Sequence, residues 1–210
     1  MRIALIHALR HSPPPVERAF ARLWPEARLM NLLDDSLSAD LARDGSITAT
    51  MTQRFLDLSH YAVRTGADAI LFTCSAFGPC IEAVATELPA IPVLKPNEAM
   101  IEEAVAVGPR IGLLASFAPT LASMPREFPA GVALEPRLAE GALDALNRGD
   151  VAEHDRLVAE AAASLPPCDV IALAQFSLSS AQRLVAERTG RPVLTTPESA
   201  VRKLRRHLQG

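Results

Sequence analysis

A chain of 210 residues, 49% of them hydrophobic, is long enough to bury a core as one α/β domain or as two half-sized ones. Its 21 basic and 24 acidic residues leave a formal charge of -3, which excludes a basic field for nucleic acid and makes a small neutral or anionic ligand the better expectation. No apolar run approaches the roughly 20 residues that span a bilayer, the first residues show no cleavage pattern, and three cysteines without CxxC or CxxH spacing suit neither a disulfide framework nor a zinc site, so a cytoplasmic protein without membrane or metal binding is expected.

Apolar runs of four to six residues alternate with longer amphipathic stretches, the pattern of βα units and of parallel sheets with helices on both faces. The first half reads as strands over 2–7, 28–33, 69–73 and 91–94, with helices over 14–23, 49–65, 79–87 and 97–106. The second half reads as strands over 110–115, 131–135, 169–174 and 192–195, with helices over 118–127, 152–164, 178–189 and 197–208.

The chain nearly repeats itself. ADAILFTCSAFGPCIEAVATELPAIPVL at 67–94 lines up with CDVIALAQFSLSSAQRLVAERTGRPVL at 168–194, pairing Asp68 with Asp169, Glu87 with Glu187 and Cys74 with Gln175. RIALIHAL at 2–9 matches RIGLLASF at 110–117, VERAF at 16–20 matches MPREF at 124–128, and SLSADLARDGSI at 36–47 matches EGALDALNRGDV at 140–151 more weakly. The expected organisation is therefore an N-terminal α/β half, 1–107, and a C-terminal α/β half, 108–210, with the last helix free to pack on the first half and the site between the halves.

In open parallel sheets the ligand crevice lies at the C-terminal ends of the strands. Those ends carry His7, then Asp34 and Asp35, then Thr73, Cys74, Ser75 and Ala76, then Ser116, and finally Gln175, Phe176 and Ser177. Cys74 stands before a Ser/Gly/Pro turn, where a helix N-terminus would favour its thiolate and hold a substrate oxygen; the alternative is an inert core thiol. His7 reads equally as a general base, an anion donor or a core histidine, and Asp34 as a ligand-binding or a helix-capping residue. Cys80 and Cys168 read as packed thiols, and the serines as carboxylate donors or as caps. No GxGxxG, P-loop or HExxH pattern occurs, so no nucleotide, metal or other cofactor is expected.

With two similar halves, ILFTCSAFG at 70–78 and VIALAQFSLSSA at 170–181, the chain resembles the aspartate/glutamate racemase superfamily over essentially its whole length. The resemblance implies a cofactor-independent racemase or isomerase acting at the α-carbon of a small carboxylic acid such as an amino acid or hydantoin, and is compatible with a homodimer. It makes Cys74 the first of the family's two thiols and puts Gln175, an amide without acid or base function near neutral pH, in place of the second. His7 is then the candidate partner, with Thr73, Ser75, Ala76, Ser116, Gln175, Phe176, Ser177 and Asp34 around the substrate. The alternatives are a decarboxylase-type lyase in which one thiol protonates one face, and a carboxylate-binding protein without turnover.

Overall fold

The computed structural model describes residues 1–209. Four strands, β1 (Arg2–His7), β2 (Arg28–Leu33), β3 (Ala69–Phe72) and β4 (Val93–Leu94), form one parallel sheet in the order β2-β1-β3-β4. Four more, β5 (Arg110–Ala115), β6 (Ala133–Leu138), β7 (Val170–Leu173) and β8 (Val193–Thr195), form a second parallel sheet in the order β6-β5-β7-β8. The result is an α/β fold of two halves with one topology used twice, as the sequence repeat implies.

Burial explains which strands are central. Every residue of β3 and β7 is buried, and so is every residue but the first of β1 and β5. Those segments are continuous apolar runs because helices cover both faces, whereas the edge strands β2 and β6 are mixed in composition and partly exposed. The registers coincide as well: Ile3 pairs with Leu29 and Ala69, and Ile111 pairs with Leu134 and Val170.

The repeated Asp68 and Asp169 have a structural cause at the start of the central strands. Asp68 accepts the Arg2 backbone N–H at 2.7 Å, and Asp169 accepts that of Arg110 at 3.0 Å while pairing with the Arg110 guanidinium at 2.6 Å. Gly108 leaves room for the second of these clamps, since a Cβ there would lie 2.6 Å from the Asp169 carboxylate.

The helices are α1 (Pro13–Leu23), α2 (Ser36–Asp44), α3 (Ala49–Arg64), α4 (Gly78–Glu87), α5 (Glu98–Val107), α6 (Ala118–Ser123), α7 (Ala142–Asn147), α8 (Val151–Ala163), α9 (Gln182–Thr189) and α10 (Thr196–Gln209). α2 and α7 are additions to the expected set, and they occupy the weakly repeated segments. Each is too short for an apolar period to show, α2 burying only Leu37, Ser38 and Leu41. The helix expected over 118–127 ends at Ser123 and gives way to a 3-10 turn at Met124–Glu127, and the one expected over 178–189 is a 3-10 segment, Phe176–Ala181, before α9 begins. β6 starts two residues later than expected because Gly131, at φ +90°, completes the preceding turn.

The last helix of each half crosses over. α5 places Met100, Ile101 and Ala104 against Ile111 and Leu113 of the second sheet, and α10 places Ala200, Val201 and Leu204 with Ile3, Leu5 and Phe20 of the first. The two crossing helices lie side by side, with Lys203 of α10 2.6 Å from both Glu98 and Glu102 of α5.

Candidate functional site

Two corresponding strand ends meet between the halves. β3 runs into Thr73, Cys74 and a 3-10 turn at Ser75–Phe77, and β7 runs into Ala174, Gln175 and the 3-10 segment that begins at Phe176. The Ser75 hydroxyl donates to the Ala174 carbonyl at 3.0 Å and lies 3.3 Å from the Thr120 hydroxyl, tying one half to the other. Apolar side chains are also exchanged here: Phe176 is buried among Ile3, Leu5 and Phe20, and Phe117 packs on the cluster that contains Cys74.

Cys74 is 5% exposed, and burial pushes its thiol up to about 11. The Ala76 N–H and the Ser38 hydroxyl act in the opposite direction without offsetting the loss of solvent. The expectation of a thiolate favoured by a helix N-terminus is thereby corrected. Only a single 3-10 turn follows Cys74, α4 begins at Gly78, and a helix dipole fades within about one turn. At neutral pH the side chain is a protonated thiol.

His7 is also fully enclosed. Its Nδ1 lies 2.7 Å from the Thr73 hydroxyl and its Nε2 lies 2.9 Å from Asn31 Oδ1, while Asn31 Nδ2 donates to Glu17 at 2.7 Å. Because the Asn31 nitrogen is directed at Glu17, its oxygen faces the ring, so Nε2 carries the proton and Nδ1 accepts from Thr73. Burial lowers the pKa of His7, against the raising effects of the Asn31 bond and the Glu17 charge. The ring is a neutral, fully engaged link that ends one residue before Cys74.

Gln175, 5% exposed, is held by three donors. Its Oε1 accepts the Ser116 N–H at 2.6 Å, the Phe117 N–H at 3.2 Å and the Ser116 hydroxyl at 3.2 Å. Ser116 is therefore committed to Gln175, and the Ser75 hydroxyl to the other half's backbone. Ser177 differs: it is 5% exposed and its hydroxyl, buried, has no partner among the described residues. The Asp34 N–H donates to the His7 carbonyl at 3.0 Å, but its carboxylate is held by Arg54 at 2.8 Å and by the Ser36 hydroxyl at 2.7 Å. Burial works to raise the Asp34 pKa, and these bonds outweigh it and lower it. Asp35 pairs with Arg10 at 2.5 Å.

Two contributors escaped sequence reasoning. Ser38 of α2 donates to the Ala8 carbonyl at 2.6 Å and acts on Cys74, and Asn31 of β2 orients His7. A polar residue beside Leu37 on the buried face of a two-turn helix is the signal that would have found the first. Nothing in the sequence distinguishes Asn31 from an ordinary edge-strand residue.

A cavity of about 550 Å³ lies next to this cluster, walled by Leu41 and Ile47 on one side and Ala118, Pro119 and Ala122 on the other. Ala76, whose N–H acts on Cys74, forms part of its wall, and Leu41 belongs to the same buried cluster as Cys74. Cys80 is buried with its sulfur 3.5 Å from the Thr52 hydroxyl, and Cys168 lies 3.4 Å from Arg191. All three cysteines are free thiols. Among the described residues no group of three or more His, Cys, Asp or Glu side chains is placed to hold a metal ion, and no helix is long and apolar enough to cross a membrane.

No family model and no curated protein matches the sequence. Solved structures do match the fold. A glutamate racemase isoform from Bacillus anthracis superposes with a TM-score of 0.78 at 14% identity, covering 99% of this chain and 81% of that one. An allantoin racemase from Pseudomonas fluorescens gives 0.72 at 17% identity, covering 100% and 91%. A variant of arylmalonate decarboxylase in a sulfate-associated form gives 0.66 at 19% identity, covering 100% and 94%. These matched proteins are all in the aspartate/glutamate racemase superfamily, and the chain has the two-halved fold they share.

Proposed function

We propose that this chain is a cofactor-independent enzyme acting at the carbon beside the carboxylate of a small organic acid, with Cys74 as its single proton-handling side chain. The observation that carries this reading is the pairing of a buried, protonated thiol at the end of β3 with a locked amide at the end of β7. Racemisation by two thiols needs an acid or base on each face of one carbon. Here only one face meets a thiol, and Gln175 neither gives nor takes a proton.

A reaction that creates its own carbanion fits such a site. Loss of carbon dioxide from a substituted malonate leaves an enediolate; the Cys74 S–H bond breaks, its proton forms the new C–H bond on one face, and solvent then reprotonates the thiolate. The decarboxylase among the matched folds supports this choice. The Ser177 hydroxyl, buried and unpaired, supplies a donor for a carboxylate or enediolate oxygen, at a site where an unsatisfied hydroxyl otherwise costs about 1–3 kcal/mol. A second reading, isomerisation, is favoured by the chain Asn31–His7–Thr73, which ends beside Cys74 and supplies His7 as an acid/base partner acting through the Thr73 hydroxyl.

The experiment is a panel of disubstituted malonates and α-amino acids in heavy water. The decarboxylase reading expects carbon dioxide release and one product enantiomer, both lost in Cys74→Ala. Deuterium exchange into amino acids without carbon dioxide release would instead select the isomerase. Absence of both activities would leave a carboxylate binder, visible as thermal stabilisation by ligand alone.

A further inference from the structure

The cavity that Ala76 lines, two residues after Cys74, has a charge pattern of its own. Its walls are mainly aliphatic, with Ser46 and Ser123 among them and no carboxylate, and its one ionic group is the exposed Arg126 at the 3-10 turn after α6. Arg126 makes no ion pair or hydrogen bond among the described residues. Its neighbour Glu127 lines a different cavity, with Lys95 and Glu98, and the acids next to the wall residues Leu41 and Gly45 are paired, Asp40 with Arg54 and Asp44 with Arg43. A volume of about 550 Å³ falls within the range of ligand pockets and accommodates the body of a small molecule.

Charge on such a molecule is constrained in two ways. An ammonium group entering these walls would lose its water and find no carboxylate, which is costly, whereas an anionic end has the free guanidinium. We propose that this cavity receives the body of a substrate bearing a second anionic group at its far end and no ammonium group, and that Arg126 selects it. The inference rests on the carboxylate-handling reading above and narrows it: the ligand is an apolar-bodied acid with two separated negative ends, not an amino acid.

Three six-carbon probes separate these features on the full chain. Hexanoate has one anionic end, adipate has two, and 2-aminoadipate has two and an ammonium group. By calorimetric titration adipate is expected to bind about fivefold more tightly than hexanoate, the scale of a partly exposed ion pair, and more tightly than 2-aminoadipate. Arg126→Gln should remove the preference for adipate over hexanoate, Arg126→Lys should keep part of it, and added salt should weaken it. Cys74→Ala should leave the preference intact.

Equal binding of hexanoate and adipate, a preference that survives Arg126→Gln, or tighter binding of 2-aminoadipate would each overturn the inference and leave the single-thiol reading standing. Failure of all three acids to bind the wild type would also overturn the inference, while carbon dioxide release from the malonate panel decides the single-thiol reading separately.

Discussion

The two halves share register, strand order and even the aspartate that clamps the start of each central pair, yet they diverge at the one position where chemistry is expected. In the first half the residue after β3 and Thr73 is a thiol stripped of solvent, with only the Ala76 N–H and the Ser38 hydroxyl acting on it. In the second half the equivalent residue is an amide whose oxygen is surrounded by Ser116 and Phe117 donors. One lobe ends its central strand in a buried thiol, and the other has at the matching position an amide that ties the strand end to Ser116 and Phe117.

The contrast can be broken most forcefully at the thiol. Cys74→Ala should lower turnover by about 10²- to 10⁴-fold, the usual contribution of a positioned proton-transfer group, with little change in melting temperature. Steady-state rates on a responsive acid, beside a thermal melt, check it; equal activity would remove Cys74 from the chemistry. In the other half, Gln175→Ala should act on stability instead, costing about 1–3 kcal/mol as the Ser116 and Phe117 N–H groups lose their acceptor. Urea denaturation measures that loss, and a cost under about half a kcal/mol would mean the tie is dispensable.

Smaller effects sharpen the comparison. His7 has a lowered pKa in the folded chain, so the unfolded chain binds its proton more readily. Stability should be full above the ordinary histidine value of about 6.5 and should decline as pH falls below it. His7→Gln should flatten that decline, which denaturation at a series of pH values between roughly 5 and 8 would show. Ser177→Ala should change ligand-free stability least, being neutral or slightly stabilising because it deletes a buried unpaired hydroxyl, while weakening carboxylate binding. Unchanged binding would take Ser177 out of the site.

Much of this architecture was legible in the sequence, for reasons that differ by element. The central strands announced themselves as unbroken apolar runs such as AILF and VIAL because both sheet faces are covered. The pairing of Cys74 with Gln175 came from the internal repeat alone. What stayed hidden depends on distant packing. The thiol is buried in a cluster drawn from across the first half, with Phe117 of the second packed on it, while the fate of the Ser116 donors is set by Gln175 and the tautomer of His7 by an asparagine on a neighbouring strand. α2 and α7 were missed because two turns of helix do not display a period.

The crossing of α5 and α10 has a consequence for how the protein is made. The face of the first sheet that carries Ile3 and Leu5 is covered by α1 and α10 together, so its cover stays incomplete until residues near Leu204 have been synthesised, and α5 waits for the strands that follow it. Each lobe's core is completed by a helix from the other. The chain completes its long-range contacts late, and a fragment cut between the lobes would lack α10 over part of its apolar sheet face.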